Sequence, residues 1–266
     1  MKKMTSEECK EEMINILRYI DDICKKNNIN YSLIGGSLIG AKRNGGIIPW
    51  DDDIDIGLIY SEYVRLIDIL SKNNSDYIVI NDELCDNYYL PHTKIVSKRT
   101  FLKERNFETI DEMGVFIDIF TYMYLPNNKN KRKRFYNKLR FHNIMISGLR
   151  KPTKKENYYF LRMVRYFICK KIIGKRKIYK CTKKLYSKYS KTNYIVSNSP
   201  QYGYEKEIQN SNFFEGYQRI RFEKIDVSIS VNYDEFLRTS FGDYMTPPPI
   251  EKRITHELTA YWRDEK

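Results

Sequence analysis

Apolar residues recur along the first half of the chain at spacings that predict short strands between helices. The first helix is expected over residues 5–27, because Thr5 and Glu8 match a capping box and an apolar stripe follows at three- and four-residue spacing. The stripe consists of Met13, Leu17, Ile20 and Cys24. The run Asn27-Asn28-Ile29-Asn30 is typical of a helix end.

Continuous or alternating apolar runs downstream predict a sheet. Strands are expected at residues 31–34, 53–59, 77–80, 89–96 and 115–120. Gly35-Gly36 separates the first strand from a brief helix through Ala41, and Ser61 is expected to cap a helix that runs to about Leu70. The inward side of that helix is predicted to carry Tyr63, Leu66, Ile67 and Leu70. Strands alternating with helices, without an internal repeat, indicate an α+β or α/β body.

Charge is distributed unevenly, because one basic tract (residues 129–191) holds 23 Lys and Arg and a single acidic residue, Glu156. The tract carries +22 and the rest of the chain −9, which together give the net charge of +13. Apolar residues at helical spacing over residues 159–173 predict a basic amphipathic helix, which suits an anionic membrane surface or another polyanion such as an anionic glycan. The alternative is a core helix with a solvated cationic face.

Composition narrows the class of protein. An apolar fraction of 41% over 266 residues supports a folded core, and no apolar run approaches the ~18 residues of a membrane-spanning helix. The N-terminal residues show no signal peptide pattern. Five cysteines without metal-type spacing indicate reduced, cytosolic thiols. Extracellular, transmembrane and zinc-finger classes are therefore disfavoured.

The densest chemical signal is a group of four carboxylates within five positions, Asp51, Asp52, Asp53 and Asp55. Such neighbours repel one another unless solvent or a cation neutralises them. If the strand begins at Asp53, then Asp53 and Asp55 share one face, and two oxygen ligands on one face suit Mg²⁺, with Mn²⁺ as the alternative. The alternative without a functional site is that these carboxylates form a solvated acidic turn.

Two further features favour chemistry over that interpretation. Asp118 is a single charge amid apolar residues 115–120, which is costly to bury without a partner, so a cation shared with Asp53 and Asp55 or a general-base role is predicted. The alternative is an edge-strand carboxylate facing solvent. Gly35-Gly36-Ser37 offers N–H groups and a hydroxyl at a strand-to-helix turn, a geometry that binds phosphate, although no Walker or dinucleotide fingerprint is present.

These residues together resemble the signature of the LicD family, which belongs to the nucleotidyltransferase-fold superfamily. The matching pieces are Gly35 to Ala41, Arg43, Gly46 to Asp55, Lys94-Ile95 with Thr100, Gly114 to Phe120, Tyr233 to Leu237, Phe241 to Met245 with Pro247-Pro248, and His256. The resemblance implies a small mixed sheet flanked by helices. It also suggests a catalytic core over residues 1–128, a basic helical insert over 129–191, and a part that completes the catalytic domain over 192–266.

The resemblance implies Mg²⁺-dependent transfer of a phospho-alcohol, best known as phosphocholine from CDP-choline, to a hydroxyl of a cell-surface glycan such as lipopolysaccharide, teichoic acid or capsule. Ribitol phosphate is the group that fukutin-type relatives transfer. By carry-over, Asp53 and Asp55 would hold the metal, and Asp118 would share it or deprotonate the acceptor. The residues expected to contact donor phosphates or the leaving CMP are Gly36, Ser37, Arg43 and Lys94. The resemblance also implies a bacterial, cytoplasmic protein that is peripheral to the inner face of the cytoplasmic membrane. Its glycan acceptor can be lipid-linked.

One departure from the family pattern leaves the alcohol open. A Pro-Leu-Asp-type stretch commonly follows the Asp118 motif, whereas this chain has Thr121-Tyr122-Met123-Tyr124-Leu125-Pro126. Two other functions stay open: a nucleotidyltransferase that uses a free NTP, and a nucleic-acid-binding module built on the basic tract. Binding to nucleic acid is not expected, because it does not require the carboxylates that are the most specific feature. His92, His142 and His256 receive no role from the sequence.

Overall fold

The computed structural model describes residues 1–103, 110–253 and 259–264 as a mixed α+β structure, which confirms the predicted fold class. His256 lies outside the described residues. The helices are α1 Ser6–Lys26, α2 Gly35–Arg43, α3 Tyr60–Lys72, α4 Lys129–Ser147, α5 Tyr159–Phe167, α6 Lys175–Tyr186, α7 Tyr204–Glu207 and α8 Tyr233–Phe241. The strands are β1 Lys2–Lys3, β2 Ser32–Leu33, β3 Asp55–Ile59, β4 Tyr77–Ile80, β5 Thr93–Ser97, β6 Thr100–Lys103, β7 Phe116–Leu125, β8 Tyr194–Ser197, β9 Gln209–Asn210, β10 Tyr217–Phe222, β11 Ile225–Ser230 and β12 Thr259–Trp262.

The main sheet has seven strands and is organised around β7, in the order β2-β3-β7-β5-β4. One edge of β7 pairs in parallel with β3. The other edge pairs antiparallel with β5 over the first half of β7 and with β8 over its second half, and β8 also pairs with β9. Because β7 is ten residues long, it holds three partners and forms the centre of the core.

The N-terminal helix forms as its sequence predicts. Thr5 Oγ1 accepts from the Glu8 N–H at 3.1 Å, and the Glu8 carboxylate accepts from the Thr5 N–H at 2.7 Å, which completes the capping box. The predicted stripe is buried, with Leu17 and Ile20 fully inaccessible to solvent. This face of α1 packs on β5, β7 and β11.

Several predicted boundaries are wrong, for physical reasons that the structure supplies. The strand expected from Asp53 starts at Asp55, where pairing with both neighbours begins. The strand expected from Tyr89 starts at Thr93, after Pro91, which has no N–H to donate to a ladder. Ser61 caps no helix, because α3 begins directly after β3, with Ile59 at its N-cap.

Other sequence expectations were too modest. The strand predicted over residues 115–120 continues to Leu125. No strand is predicted beyond residue 192, yet this part contributes β8 and β9 to the main sheet and forms the β10–β11 hairpin. A second small sheet has the order β1-β12-β6 and therefore joins both ends of the described chain.

The basic tract lies between β7 and β8 and is helical. Its first and last helices pack on the body: Phe135 and Leu139 of α4 and Leu185 of α6 form a second apolar cluster with Leu125 and Val196. The middle part, α5, has no buried residue and continues into a π-helical turn, Ile168–Ile173. No helix among the described residues is long and apolar enough to cross a bilayer. The domain boundaries at residues 128 and 191 stay a prediction.

Candidate active site

Three charged residues form a row across neighbouring strands of the main sheet. Asp55 on β3 is the register partner of Asp118 on β7, and Asp118 is in turn the partner of Lys94 on β5. Residues directly opposite each other in a ladder project to the same face of the sheet. The fold therefore brings together three of the predicted site residues from positions up to 63 apart in the sequence.

The strongest interaction of this row joins Lys94 to Asp118. Lys94 Nζ donates to both carboxylate oxygens of Asp118, at 2.8 and 3.0 Å. Both residues are buried, with 4% and 7% of their surface exposed, and Nζ also lies 3.4 Å from the ring centroid of Phe116. Asp118 is thus neither an edge residue facing solvent nor unpaired, and the charge that compensates it is a lysine side chain of the same row.

His92 extends this side of the site by one step. Its ring stacks on Phe120 with centroids 4.8 Å apart, and its Nε2 lies 3.7 Å from an Asp118 oxygen. Burial lowers the pKa of His92 to about 4, and the nearby Asp118 charge offsets only part of that effect. The imidazole is therefore neutral at pH 7, and its Nδ1 makes no hydrogen bond among the described residues.

Carboxylates crowd the other end of the row. Burial raises the pKa of Asp55 well above its ordinary value, and the nearby Asp53, Asp118 and Asp51 charges raise it further, while Lys94 acts in the opposite sense. Asp53 lies in the loop just before β3 and not on the strand, so it approaches Asp55 from the loop. The cluster has an excess of negative charge.

The Gly-Gly-Ser segment begins α2 and packs directly on these carboxylates. A Cβ at Gly36 would lie 2.5 Å from an Asp51 oxygen, and Gly35 stands at φ +54°, where side chains are strained. Ser37 is buried, and its Oγ accepts from the Asp55 N–H at 2.8 Å. The glycines therefore make room for the carboxylates, and Ser37 fixes the start of β3.

Two arginines flank the acidic loop (residues 50–54) at Trp50. The guanidinium carbons of Arg253 and Arg43 lie 4.1 and 5.7 Å from the centre of the Trp50 ring. Arg43 Nη1 donates to the Tyr244 carbonyl oxygen at 3.0 Å, and burial together with the nearby Arg253 charge lowers the pKa of Arg43. The pair is a cationic counterpart to the acidic loop.

Glu223 holds the turn that precedes the acidic loop. Its carboxylate accepts from the Ile47 N–H at 2.9 Å, and its own N–H donates to the Gly45 carbonyl oxygen at 2.8 Å. The side chain also fills the space beside Gly46, where a Cβ would overlap it. A residue of the β10–β11 turn thereby positions a loop 176 residues away in sequence.

The donor set fits a hard divalent cation bound together with substrate. In the ranges that the structure describes, no group of three His, Cys, Asp or Glu side chains is arranged to hold a metal ion. Asp53 and Asp55 lie at the end of the row away from Lys94, so they are the carboxylates placed for a cation, while a share of Asp118 in a metal site stays a prediction. Mg²⁺ is commonly held by one or two carboxylates plus substrate phosphates, and two positive charges would offset the excess of negative charge.

Sequence reasoning missed three residues of this site. His92 could have been found, because it precedes Lys94 by two positions and period-two alternation places both on one face. Glu223 and Arg253 carry no local signal, since only the tertiary fold brings them to the acidic loop. Arg43 lies beside that loop and not in the Asp55 row.

The fold and site together define an α+β protein whose main sheet carries a carboxylate–lysine row beside an acidic loop. Residues 28–160 match the family model described as LicD/FKTN/FKRP, nucleotidyltransferase domain, and the chain belongs to this family. Over 97% of its length it is 29% identical to the lipopolysaccharide cholinephosphotransferase LicD of Haemophilus influenzae, of which the alignment covers 98%. It is also 45% identical over 56 residues to the ribitol 5-phosphate transferase FKRP of mouse, covering 21% of this chain and 11% of that protein.

Proposed function

We propose that the protein transfers a phospho-alcohol from a CDP-linked donor to a hydroxyl of a cell-surface glycan, with phosphocholine and lipopolysaccharide as the first candidates. The observation that carries the proposal is the Asp55–Asp118–Lys94 row, half-buried at Asp55 and buried at the other two residues, beside the glycine-rich start of α2. The similarity to a cholinephosphotransferase along nearly the whole chain supports the same activity.

The reaction moves one phosphoryl group. An acceptor oxygen bonds to the phosphorus that carries the alcohol, the bond from that phosphorus to the bridging oxygen breaks, and CMP leaves. Asp118 is the base that takes the acceptor proton, and Lys94 holds its carboxylate in place through both oxygens. Arg43 and Arg253 neutralise charge on the departing phosphate.

Asp53 and Asp55 would hold Mg²⁺, which when bound supplies positive charge against the diphosphate. Ser37 acts by holding the Asp55 backbone, because its hydroxyl is buried and already accepts from that N–H. Gly36 keeps the helix start open toward Asp51. Gly36 and Ser37 therefore position the carboxylates, in addition to the phosphate contacts that the sequence predicts for them.

A cavity of about 410 Å³ adjoins the acidic loop and offers space for a substrate. Asp51, Asp52, Trp50 and Phe116 form one side of it, and the start of α1 forms the other. Carboxylates and aromatic rings are the groups that recognise a quaternary ammonium ion. Each ring already has a protein cation near it, Arg253 at Trp50 and Lys94 at Phe116, so the cavity also suits a neutral polyol.

The test is CMP release from a panel of CDP-choline, CDP-ribitol and CDP-glycerol, with Mg²⁺ and a lipopolysaccharide acceptor. The wild type is expected to release CMP from one member, and Asp55→Asn to reduce kcat by at least about 100-fold, as for loss of a group acting on transition-state charge. The matched control is Asp68→Asn on α3, an exposed carboxylate whose loss is expected to leave kcat unchanged.

Two results would overturn the proposal. The first is no CMP from any donor while pyrophosphate is released from a free NTP, which would make the protein a nucleotidyltransferase. The second is unchanged turnover in Asp55→Asn, which would place the chemistry elsewhere. Nucleic-acid binding that survives loss of Asp53 and Asp55 would support the basic tract as a binding module instead.

A further inference from the structure

The middle of the basic tract exposes an apolar stripe that the rest of the protein does not cover. We name residues 159–173, formed by α5 and the π-helical turn that continues it, the amphipathic segment. Its outward side chains have between 39% and 76% of their surface exposed and are Phe160, Leu161, Val164, Phe167, Ile168 and Ile172. They recur at helical spacing and so form one face about 20 Å long.

The opposite side of the segment is fixed to the protein. Cys169 is fully buried against Gly148 and Met145, and Ile173 packs with the same cluster. The segment therefore lies on α4 with its apolar face directed outward. The six apolar residues are exposed because the opposite face of the segment, with Cys169 and Ile173, makes the contacts with the body.

The charges around this face are almost all positive. Lys170 and Lys171 are exposed, and Arg162 and Arg165 are partly exposed. The single acidic residue of the tract, Glu156, is held by Arg150 and Arg162 at 2.7 and 2.8 Å and by the Thr153 N–H at 3.0 Å. Within the tract, the apolar face is thus bordered by cations, and the one carboxylate of the tract is already paired.

We propose that the amphipathic segment is an interfacial anchor that seats the protein on an anionic lipid bilayer. The exposed rings and aliphatic side chains enter the boundary between headgroups and acyl chains, while the flanking Lys and Arg contact anionic headgroups. Because the exposed apolar residues share one face and Cys169 on the opposite face is buried, the segment would lie along the surface of the bilayer. This proposal is independent of the chemistry proposed above.

Sedimentation with vesicles tests the anchor. Wild-type protein is expected to bind vesicles with 30% phosphatidylglycerol in phosphatidylcholine, and to bind pure phosphatidylcholine far more weakly. Replacing Phe160, Leu161 and Phe167 together by Ser is expected to weaken binding about 100-fold, because the apolar area that enters the lipid is removed. Ile250→Ser, at an isoleucine outside the tract that is 76% exposed like Phe160, is the matched control and is expected to bind like wild type.

The charge contribution is measured separately. Lys170→Glu with Lys171→Glu is expected to weaken binding about 30-fold, since each Lys at an anionic surface strengthens binding about fivefold. The control Lys26→Glu with Lys224→Glu changes the net charge equally at exposed sites outside the tract and is expected to have a much smaller effect. If both double variants weaken vesicle binding equally, the binding depends on net charge alone and the proposal of a local anchor is overturned.

Insertion depth gives a direct readout. A tryptophan introduced by Phe160→Trp is expected to shift its emission to the blue and to be quenched by brominated lipid, whereas a tryptophan introduced by Ile250→Trp is not. Absent vesicle binding by wild type, or an unquenched Phe160→Trp, would overturn the proposal. A dimer in sedimentation equilibrium that the serine variant abolishes, without vesicle binding, would instead assign the face to a second copy of the chain.

Discussion

Removing the charge of Lys94 should destabilise the protein strongly, because its partner is buried with no other cation in hydrogen-bond contact among the described residues. Lys94 has 4% of its surface exposed and bonds both oxygens of Asp118. Lys94→Met leaves that carboxylate desolvated beside Asp55. Breaking a buried pair on one side costs about 3–5 kcal/mol, whereas breaking an exposed pair costs about 0–1 kcal/mol.

Urea unfolding followed by circular dichroism measures the effect. With a slope of about 3 kcal/mol per M urea, the midpoint of Lys94→Met should fall by about 1–1.7 M. The matched control is Lys72→Met, which breaks an Asp68 pair of similar length, 2.7 Å, in which both side chains are mostly exposed. Its midpoint should move by less than about 0.3 M.

A double variant tests the energy of the Lys94–Asp118 pair even if the single variant folds poorly. Lys94→Met combined with Asp118→Leu removes both charges, so it should recover most of the lost stability, because replacing a buried ion pair by apolar residues is often nearly neutral. A loss below about 1 kcal/mol in Lys94→Met, or no recovery in the double variant, would show that the pair does not carry the predicted energy.

Three further predictions follow from the site and its surroundings. Gly36→Ala should lower kcat for CMP release about tenfold or more, since its Cβ would meet the Asp51 carboxylate at 2.5 Å; normal kinetics would refute the close contact. Dialysis against EDTA should abolish CMP release and added Mg²⁺ should restore it, whereas retained activity would exclude the proposed cation. Burial raises the pKa of the Asp21 carboxyl, but bonds from Arg219, Lys25 and Tyr31 outweigh that effect and lower the pKa. The stability that ionised Asp21 contributes to the protein is therefore full above pH ~4 and is lost as the pH falls through the folded-state pKa. Unfolding between pH 7 and 3 should show that loss in wild type and less of it in Asp21→Asn.

The chemistry of the site was more predictable than its geometry. A carboxylate amid five apolar residues is a strong local anomaly, and Asp118 is indeed buried in the row with Asp55. The partner of Asp118 was not predictable, because a lysine 24 residues away is identified only by strand register. Likewise, the alternation of Asp53 with Asp55 predicted that both lie on the strand, yet β3 begins only at Asp55, where it pairs with β7.

Helical periodicity predicted the tract but could not decide its orientation. Apolar spacing over residues 159–173 is the same whether the stripe faces a core or a bilayer. The structure decides between the two, because the buried residue of this stretch is Cys169, which lies on the other side from Phe160 and Phe167. A stripe is a property of one helix, whereas burial depends on what the remaining chain can place against it.

The pairing of β7 with β8 makes the sheet independent of the middle of the tract between them, because only the first and last helices of the tract pack on the body. Leu125 and Tyr194, at the two ends of the intervening chain, are register partners and so lie one strand spacing apart. The sheet closes in the same way whatever length of chain loops out, because such an excursion adds little closure entropy. The amphipathic segment can therefore change in sequence while Asp55, Asp118 and Lys94 keep their positions on the sheet.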